Sequence, residues 1–131
     1  MLRAAILDNS AIARGLLRTI LANGGHIVIS ESGVASVNLP RLALLVPQLV
    51  FIALDAENND AQSTVMDLRN RLPKALIFAM SSAFTAEMIK QAGEHGANGF
   101  IVKPFNEKSV LSSIRTSILK LVGQQMAETK G

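Results

Sequence analysis

The sequence predicts a single α/β domain, in which a five-stranded parallel sheet carries helices on both faces. The chain has 131 residues, the usual size of one domain. Its residues are 49% hydrophobic and 18% charged, as expected of a globular domain rather than a disordered chain. Short apolar runs alternate with longer segments of helical period, and no hairpin signal separates them. Successive strand–helix units of this kind favour a doubly wound parallel sheet.

Five short apolar runs are the candidate strands. The third and fourth runs are continuously apolar, which is typical of strands buried on both faces of a parallel sheet. The second is rich in β-branched residues, which favour extended backbone. The predicted strands are Arg3–Leu7, His26–Ser30, Leu49–Leu54, Ala75–Met80 and Gly99–Val102.

The helices follow from periodic apolar residues and from capping residues at their ends. In the first helix Ile12, Leu16 and Ile20 recur every four residues, and the helix ends at about Asn23. The second helix is predicted to begin at Asn38–Pro40 and to end before Pro47, and the third to begin within Asp55–Gln62 and to end by Pro73. The fourth is predicted from Phe84 to Glu94, and the fifth from the Asn106 cap to about Val122.

The last helix and the tail complete the domain organisation. The apolar stripe of the last helix consists of Val110, Ile114, Ile118, Leu121 and Val122. We expect residues 1–122 to form the domain and residues 123–131 to be a polar tail that frays. That tail is either the start of a linker to an output domain or simply an end.

Composition excludes several classes of protein. The chain has no cysteine, which excludes disulfides and thiolate metal sites. No apolar run approaches the roughly 20 residues of a membrane span, and Asp8 interrupts the N-terminal run too early for a signal peptide. We therefore expect a cytoplasmic protein without membrane contact. The two histidines, His26 and His95, lack partners at ligand spacing and are expected at the surface.

The net charge of +3 invites a nucleic-acid interpretation. The basic residues are dispersed, however, and the chain has no Trp or Tyr that would provide a stacking platform. We therefore expect no nucleic-acid partner.

Polar residues follow the candidate strands where a doubly wound sheet places its working site, at the carboxyl ends of the strands. The residues at these strand ends are Asp8-Asn9, Ala53-Leu54-Asp55, Ser81-Ser82 and Lys103-Pro104.

These strand-end residues, together with two longer motifs, resemble the receiver domains of response regulators over about residues 3–122. The matching features are Asp8-Asn9, Pro47–Ala53, Ser81-Ser82, Gly96–Phe100 and Lys103-Pro104-Phe105. The segment before Phe100 and the Lys-Pro-Phe motif are specific only in combination. The resemblance implies a flavodoxin-like strand order of 2-1-3-4-5.

The resemblance also implies a phosphorylation site. In that family an aspartate after the third strand accepts a phosphoryl group, and Mg²⁺ is held by that aspartate and an acidic pair. Lys103 and Ser81 match the residues that contact the phosphoryl oxygens. Phe100 matches the aromatic residue that rotates on phosphorylation, and Pro104 is the proline of the Lys-Pro motif. Signals in the family pass to helix 4, strand 5 and helix 5.

This sequence departs from the family at its central position. The sixth residue after Pro47 is Ala53, where the family has its phospho-acceptor aspartate, and a methyl group neither attacks phosphorus nor binds metal. Asn9 replaces one member of the acidic pair. We therefore expect a degenerate pseudo-receiver that is not an enzyme. We expect no cofactor, and at most weak Mg²⁺ binding through Asp8, Asn9 and Asp55.

One alternative is phosphoryl acceptance by Asp55, which follows Ala53 by two residues and lies about 6–7 Å further along the chain. Otherwise Asp55 is a loop carboxylate that caps the third helix or assists Asp8. Lys103 is either a phosphate ligand or simply the partner of Asp8. Ser81 is either a phosphate ligand or an ordinary hydroxyl at a strand end, and Phe100 is either the moving aromatic residue or a packed core residue. An unrelated flavodoxin-like enzyme or nucleotide binder is disfavoured, because no phosphate-binding loop occurs.

The expected partners are proteins: a histidine kinase system, an output domain or a second copy of the chain. We predict a surface formed by helix 4, strand 5 and helix 5. Lys108, Arg115 and Lys120 on helix 5 and Glu87 and Glu94 on helix 4 would make this surface self-complementary in a two-fold dimer. The alternative is a monomer on which these charges are solvated.

Overall fold

Five parallel strands alternate with five helices along the chain. The computed structural model describes residues 1–55 and 60–130. The strands are β1 (Arg3–Leu7), β2 (Ile27–Ser32), β3 (Leu49–Ala53), β4 (Leu76–Ser81) and β5 (Gly99–Val102). The helices are α1 (Ala11–Asn23), α2 (Leu39–Leu45), α3 (Asp60–Arg71), α4 (Ala86–His95) and α5 (Glu107–Lys130).

The strand order is β2-β1-β3-β4-β5, with every neighbouring pair parallel. Helices α1 and α5 contact each other, and α3 contacts both α2 and α4. The predicted fold class and strand order are therefore confirmed. Within residues 1–55 and 60–130, no helix is long and apolar enough to cross a membrane.

The core includes the whole of the central strand β3 and of its neighbour β4. All residues of β3 and β4 are buried, as their continuous apolar runs predict. Phe51 and Phe78 stack across this strand pair with ring centroids 5.1 Å apart. Burying large apolar side chains in this way is the main source of stability for such a domain.

The periodic apolar residues of α1 do not all face the core. Leu17, Ile20 and Leu21 are buried, but Ile12 is 78% exposed and Leu16 is also exposed. A four-residue spacing drifts around a helix of 3.6 residues per turn, so the neighbouring positions face the sheet instead. On α5, Val122 is likewise exposed, whereas Val110 and Ile114 are buried as predicted.

Helix and strand boundaries differ from the prediction at several ends. Helix α4 begins at Ala86 rather than Phe84, because the Thr85 hydroxyl caps it by accepting the Met88 N–H at 3.1 Å. Strand β2 continues to Ser32, since it pairs with the whole of β1. The predicted start of the third helix falls partly on residues 56–59, outside the described residues.

The last helix is longer than predicted. Helix α5 continues through residues 123–130, which include good helix formers. Gly131 lies outside the described residues.

Candidate functional site

The parallel register brings the polar strand ends together. Leu7 pairs with Ile52, so Asp8 comes level with Ala53 at the carboxyl end of the sheet. Ser81 pairs with Val102, so Lys103 follows at the same edge, and its N–H bonds to the Ser81 carbonyl at 2.9 Å. Sequence-distant residues thus share one site because all five strands end at this edge.

Lys103 is the centre of the site. Its Nζ lies 2.6 Å from Oδ2 of Asp8 and 2.9 Å from Oδ2 of Asp55. Asp8 is only 3% exposed, and its Oδ2 makes no hydrogen bond of acceptable geometry. Direct charge attraction to Lys103 therefore compensates for the cost of burying this charged oxygen. The pairing of Lys103 with Asp8, one of the two alternatives from the sequence, is present in the structure.

Asp55 receives three donors. Its Oδ1 accepts the Ser81 hydroxyl at 2.8 Å and the Ser82 N–H at 3.1 Å, while its Oδ2 accepts from Lys103. Burial raises the pKa of Asp55, but the hydrogen bonds from Lys103, Ser81 and Ser82 outweigh it. The net pKa lies below the usual value, so Asp55 is a carboxylate at neutral pH.

The environment of Lys103 favours its charged form as well. Burial lowers the pKa of Lys103, but its close contacts with the negative carboxylates of Asp8 and Asp55 outweigh burial and raise it. One ammonium group between two carboxylates leaves this part of the site with one net negative charge.

Ala53 and Asn9 do not take part in this network. Ala53 is the last residue of β3, and its buried methyl group offers neither a nucleophile nor a ligand. The Asn9 side-chain oxygen accepts the Val34 N–H at 2.8 Å. Of the predicted site residues, the structure therefore brings together Asp8, Asp55 and Lys103 with Ser81, whereas the Asn9 side chain bonds to the neighbouring β2–α2 connection instead.

The remaining predicted site residues lie around this cluster. The Ser81 oxygen also accepts the Ala83 N–H at 3.1 Å. Phe100 is half-buried and packs edge-to-face against Phe84, with ring centroids 5.7 Å apart. Pro104 is exposed and follows a cis peptide bond.

Arg14 is a site neighbour that the sequence reasoning missed. Its Nη1 donates to the Asp8 carbonyl at 2.6 Å, and the Ser10 N–H donates to Oδ1 of Asp8 at 2.9 Å. The position of Arg14 in the sequence was a usable signal for this contact. Helix α1 starts soon after β1, so a long basic side chain in its first turns can reach back and donate to the end of β1. These two contacts fix the orientation of Asp8 toward Lys103.

Both histidines are partly exposed and have hydrogen-bond partners. His95 Nδ1 lies 3.0 Å from the Gln62 side-chain oxygen, and His26 Nδ1 accepts the Leu2 N–H at 3.3 Å. Burial lowers the pKa of His26. Among residues 1–55 and 60–130, no group of three or more acidic or histidine side chains is placed to hold a metal ion.

The charged residues predicted for the pairing surface are exposed but do not share one face; they are Glu87 and Glu94 on α4 and Lys108, Arg115 and Lys120 on α5. Lys120 lines a surface cavity with Ala97 and Asn98, beside β5. Arg115 lines a different cavity with His26, at the α1 side of the domain. Lys108 precedes Arg115 by seven residues, two helical turns, and so lies on that same side. The charge pattern expected for a single α4–β5–α5 face is therefore wrong for Arg115 and Lys108.

Comparison with known proteins gives one consistent family. The model of the response regulator receiver domain matches residues 4–115. The transcriptional regulatory protein MctR of Rhizobium johnstonii is 27% identical over 116 residues, which are 88% of this chain and 54% of that protein. This chain thus spans about half the length of MctR. The chemotaxis protein CheY of Halobacterium salinarum is 30% identical, over 83% of this chain and 90% of CheY.

The solved structures agree in fold. A response regulator from Thermotoga maritima superposes with a TM-score of 0.77 at 21% identity. The superposition covers 90% of this chain and 98% of the chain of that regulator. The family match covers most of the sheet and its helices, and the strand-end residues fall within it. The chain therefore belongs to the response regulator receiver domain family of two-component signalling.

Proposed function

We propose that this receiver domain signals by binding other proteins and does not accept a phosphoryl group. The observation that carries this proposal concerns two residues, Ala53 at the end of β3 and Asp55 two positions later. Ala53 stands level with Asp8, where a strand-end nucleophile would have to lie, and it has no reactive atom. The nearest carboxylate beyond it, Asp55, already accepts from Ser81, Ser82 and Lys103.

Weak or absent Mg²⁺ binding is part of the same proposal. A hard divalent cation needs several oxygen ligands at close to octahedral geometry. In this site the Lys103 ammonium already contacts the carboxylate oxygens of Asp8 and Asp55, which would be the charged ligands of such a cation. The Asn9 oxygen is used by a backbone N–H. The described residues therefore do not suit Mg²⁺, and no step of the proposed function requires it.

Phosphoryl acceptance by Asp55 is the competing function. It is favoured by the same contacts, since a lysine and a serine beside a carboxylate are suitable donors to a phosphoryl group. It is disfavoured by the charge balance, because a carboxylate paired with an ammonium is a poorer nucleophile than a free one. The two functions differ in whether a covalent adduct forms.

The surface that we propose for partners is the part of α4, β5 and α5 around Val102. Val102 is 64% exposed at the end of the edge strand β5 and faces the same side of the sheet as Phe100. Ile89 on α4 is another exposed apolar residue, and Glu87 on the same helix adds an exposed charge. Exposed apolar residues rimmed by charges are typical of protein interaction surfaces. The partner is a histidine kinase system, an output domain or a second copy.

Sedimentation velocity at micromolar concentration tests self-association, with and without acetyl phosphate and Mg²⁺. We expect a dimer whose population is unchanged by the phosphodonor. Val102→Glu should dissociate it, because a charge would be buried at the contact. Ile12→Glu on α1 is the matched control, since Ile12 is similarly exposed and should leave the dimer intact.

Three outcomes would contradict the proposal. A monomer throughout would exclude pairing between copies, and loss of the dimer in Ile12→Glu alone would move the contact to α1. Association that requires acetyl phosphate would contradict the central proposal of function without phosphorylation.

A further inference from the structure

Three hydrogen-bond donors converge on one carboxylate at the carboxyl end of the sheet. The Ser81 hydroxyl, the Ser82 N–H and the Lys103 ammonium lie 2.8, 3.1 and 2.9 Å from the oxygens of Asp55. One donor is charged, one is a hydroxyl and one belongs to the backbone. A set of this kind binds oxyanions, because each donor makes a charge-assisted hydrogen bond to a negative oxygen.

The donors are held by the sheet rather than by Asp55. Ser81 is the last residue of β4 and is 2% exposed, and Lys103 follows directly after β5. The backbone hydrogen bond between Lys103 and Ser81 fixes these two strand ends relative to each other. A preorganised donor set of this kind remains in place when its acceptor is removed, and its buried donors then lack a partner.

Asp55, in contrast, reaches the donors from outside the sheet. It comes two residues after the end of β3, and its side chain is 34% exposed. The acceptor is therefore a loop side chain placed over a rigid donor set, which is the arrangement of a ligand and its site.

We infer that the strand-end site is an oxyanion site whose ligand is the chain's own Asp55 carboxylate, and that removing this carboxylate opens the site to a small free oxyanion such as inorganic phosphate. This inference rests on the proposed function and adds how the site is regulated. With Asp55 in place, Ser81 and Lys103 remain permanently in their anion-bound arrangement. The site then has no empty state from which an external anion would switch it.

A tethered ligand has two advantages over a free ion. Its effective concentration beside the donors is high, because the same chain carries both. Its negative charge also repels a second anion. Asp55→Ala removes both effects and leaves the three donors in place. Lys103 stays paired with Asp8, so we expect millimolar rather than micromolar phosphate affinity in the variant.

The test is a titration with inorganic phosphate, followed by NMR through the backbone amide of Ser82. We expect Asp55→Ala to bind phosphate with a dissociation constant at least about tenfold lower than that of the unaltered chain. Formate, a small free carboxylate, should shift the same amide in the variant. The added substitution Ser81→Ala should weaken the response. Asp67→Ala, which removes an exposed carboxylate from α3, is the matched control and should titrate like the unaltered chain.

The outcomes separate this inference from the proposed function. If folded Asp55→Ala titrates like the unaltered chain, or if Asp67→Ala gains the same response, the built-in ligand is excluded even though the domain still functions without phosphorylation. Covalent labelling of the unaltered chain by a phosphodonor would instead overturn the proposed function.

Discussion

Lys103 holds Asp55 with 2.9 Å between Nζ and Oδ2, although the two residues follow different strands and stand 48 positions apart. The same ammonium lies 2.6 Å from the buried Asp8. One lysine thereby neutralises a carboxylate that the core cannot solvate and fixes a second carboxylate from the loop after β3. The site is therefore an ion-paired cluster.

Removing the lysine should destabilise the domain. In Lys103→Met the Asp8 carboxylate remains buried without a counter-charge, and we expect a loss of about 3 kcal/mol in the free energy of unfolding. Urea unfolding measures this loss. The added substitution Asp8→Asn should recover most of it by removing the stranded charge. Lys120→Met, at an exposed position, is the control. A loss below about 0.5 kcal/mol in Lys103→Met, the range of ordinary surface substitutions, would show that Asp8 is solvated after all.

The contribution of Asp55 to stability should depend on pH. Its pKa in the folded protein lies below its usual value of 3.8, so folding favours the ionised carboxylate. The stabilisation is therefore present above the unfolded-state pKa and is lost as the pH falls through the folded-state pKa. The difference in unfolding free energy between the unaltered chain and Asp55→Asn should be constant between about pH 5 and 8 and should shrink below about pH 4. A difference of unchanged size at about pH 3 would contradict this linkage.

Arg69 should be the strongest polar contributor to stability outside the site. Its guanidinium donates to the carbonyls of Leu72, Pro73, Ala75 and Gly96 and to the side-chain oxygen of Asn98. Arg69→Ala should cost about 2–3 kcal/mol, because partly buried carbonyls lose a charged donor. Arg69→Lys should not restore the loss, since an ammonium lacks the planar fork.

Arg71→Ala is the matched control for Arg69. Arg71 lies on the same helix two residues later and is exposed. Equal losses in the two alanine variants would show that the carbonyl contacts of Arg69 contribute nothing specific.

Magnesium should bind with a dissociation constant above the millimolar range. Affinity at such sites follows the number and charge of the oxygen ligands, and Lys103 already contacts the carboxylates of Asp8 and Asp55. Ala53→Asp adds a strand-end carboxylate and should strengthen binding. Isothermal titration measures both. Sub-millimolar affinity in the unaltered chain that disappears in Asp8→Ala would contradict the account.

The fold was predictable from the sequence because β3 and β4 are continuously apolar and because polar residues follow the strand ends. The pairing of Asp8 with Lys103 was one of the stated alternatives, since both follow strands that end at one edge. The attachment of Asp55 to Ser81 was not predictable. It depends on the path of a loop backbone, which carries no periodic signal. Likewise, the exposure of Ile12 depends on the rotation of α1 against the sheet.

The contacts of Arg69 were missed for a related reason. A dispersed arginine looks like a solvated charge in the sequence, and only the assembled loops after α3 and α4 supply its acceptors. The sides of α5 occupied by Lys120 and Arg115 differ because the residues lie five positions apart, about 140° around the helix. That separation was readable from the spacing alone.

Intact mass after treatment with acetyl phosphate and Mg²⁺ tests the central claim most directly, with a phospho-accepting receiver domain treated in parallel to verify the donor. Because Ala53 has no nucleophile and Asp55 is tied to Lys103, Ser81 and Ser82, we predict that the mass stays unchanged. An adduct of about 80 Da, the mass of one phosphoryl group, that is absent from Asp55→Asn would contradict the account and identify Asp55 as a phospho-acceptor.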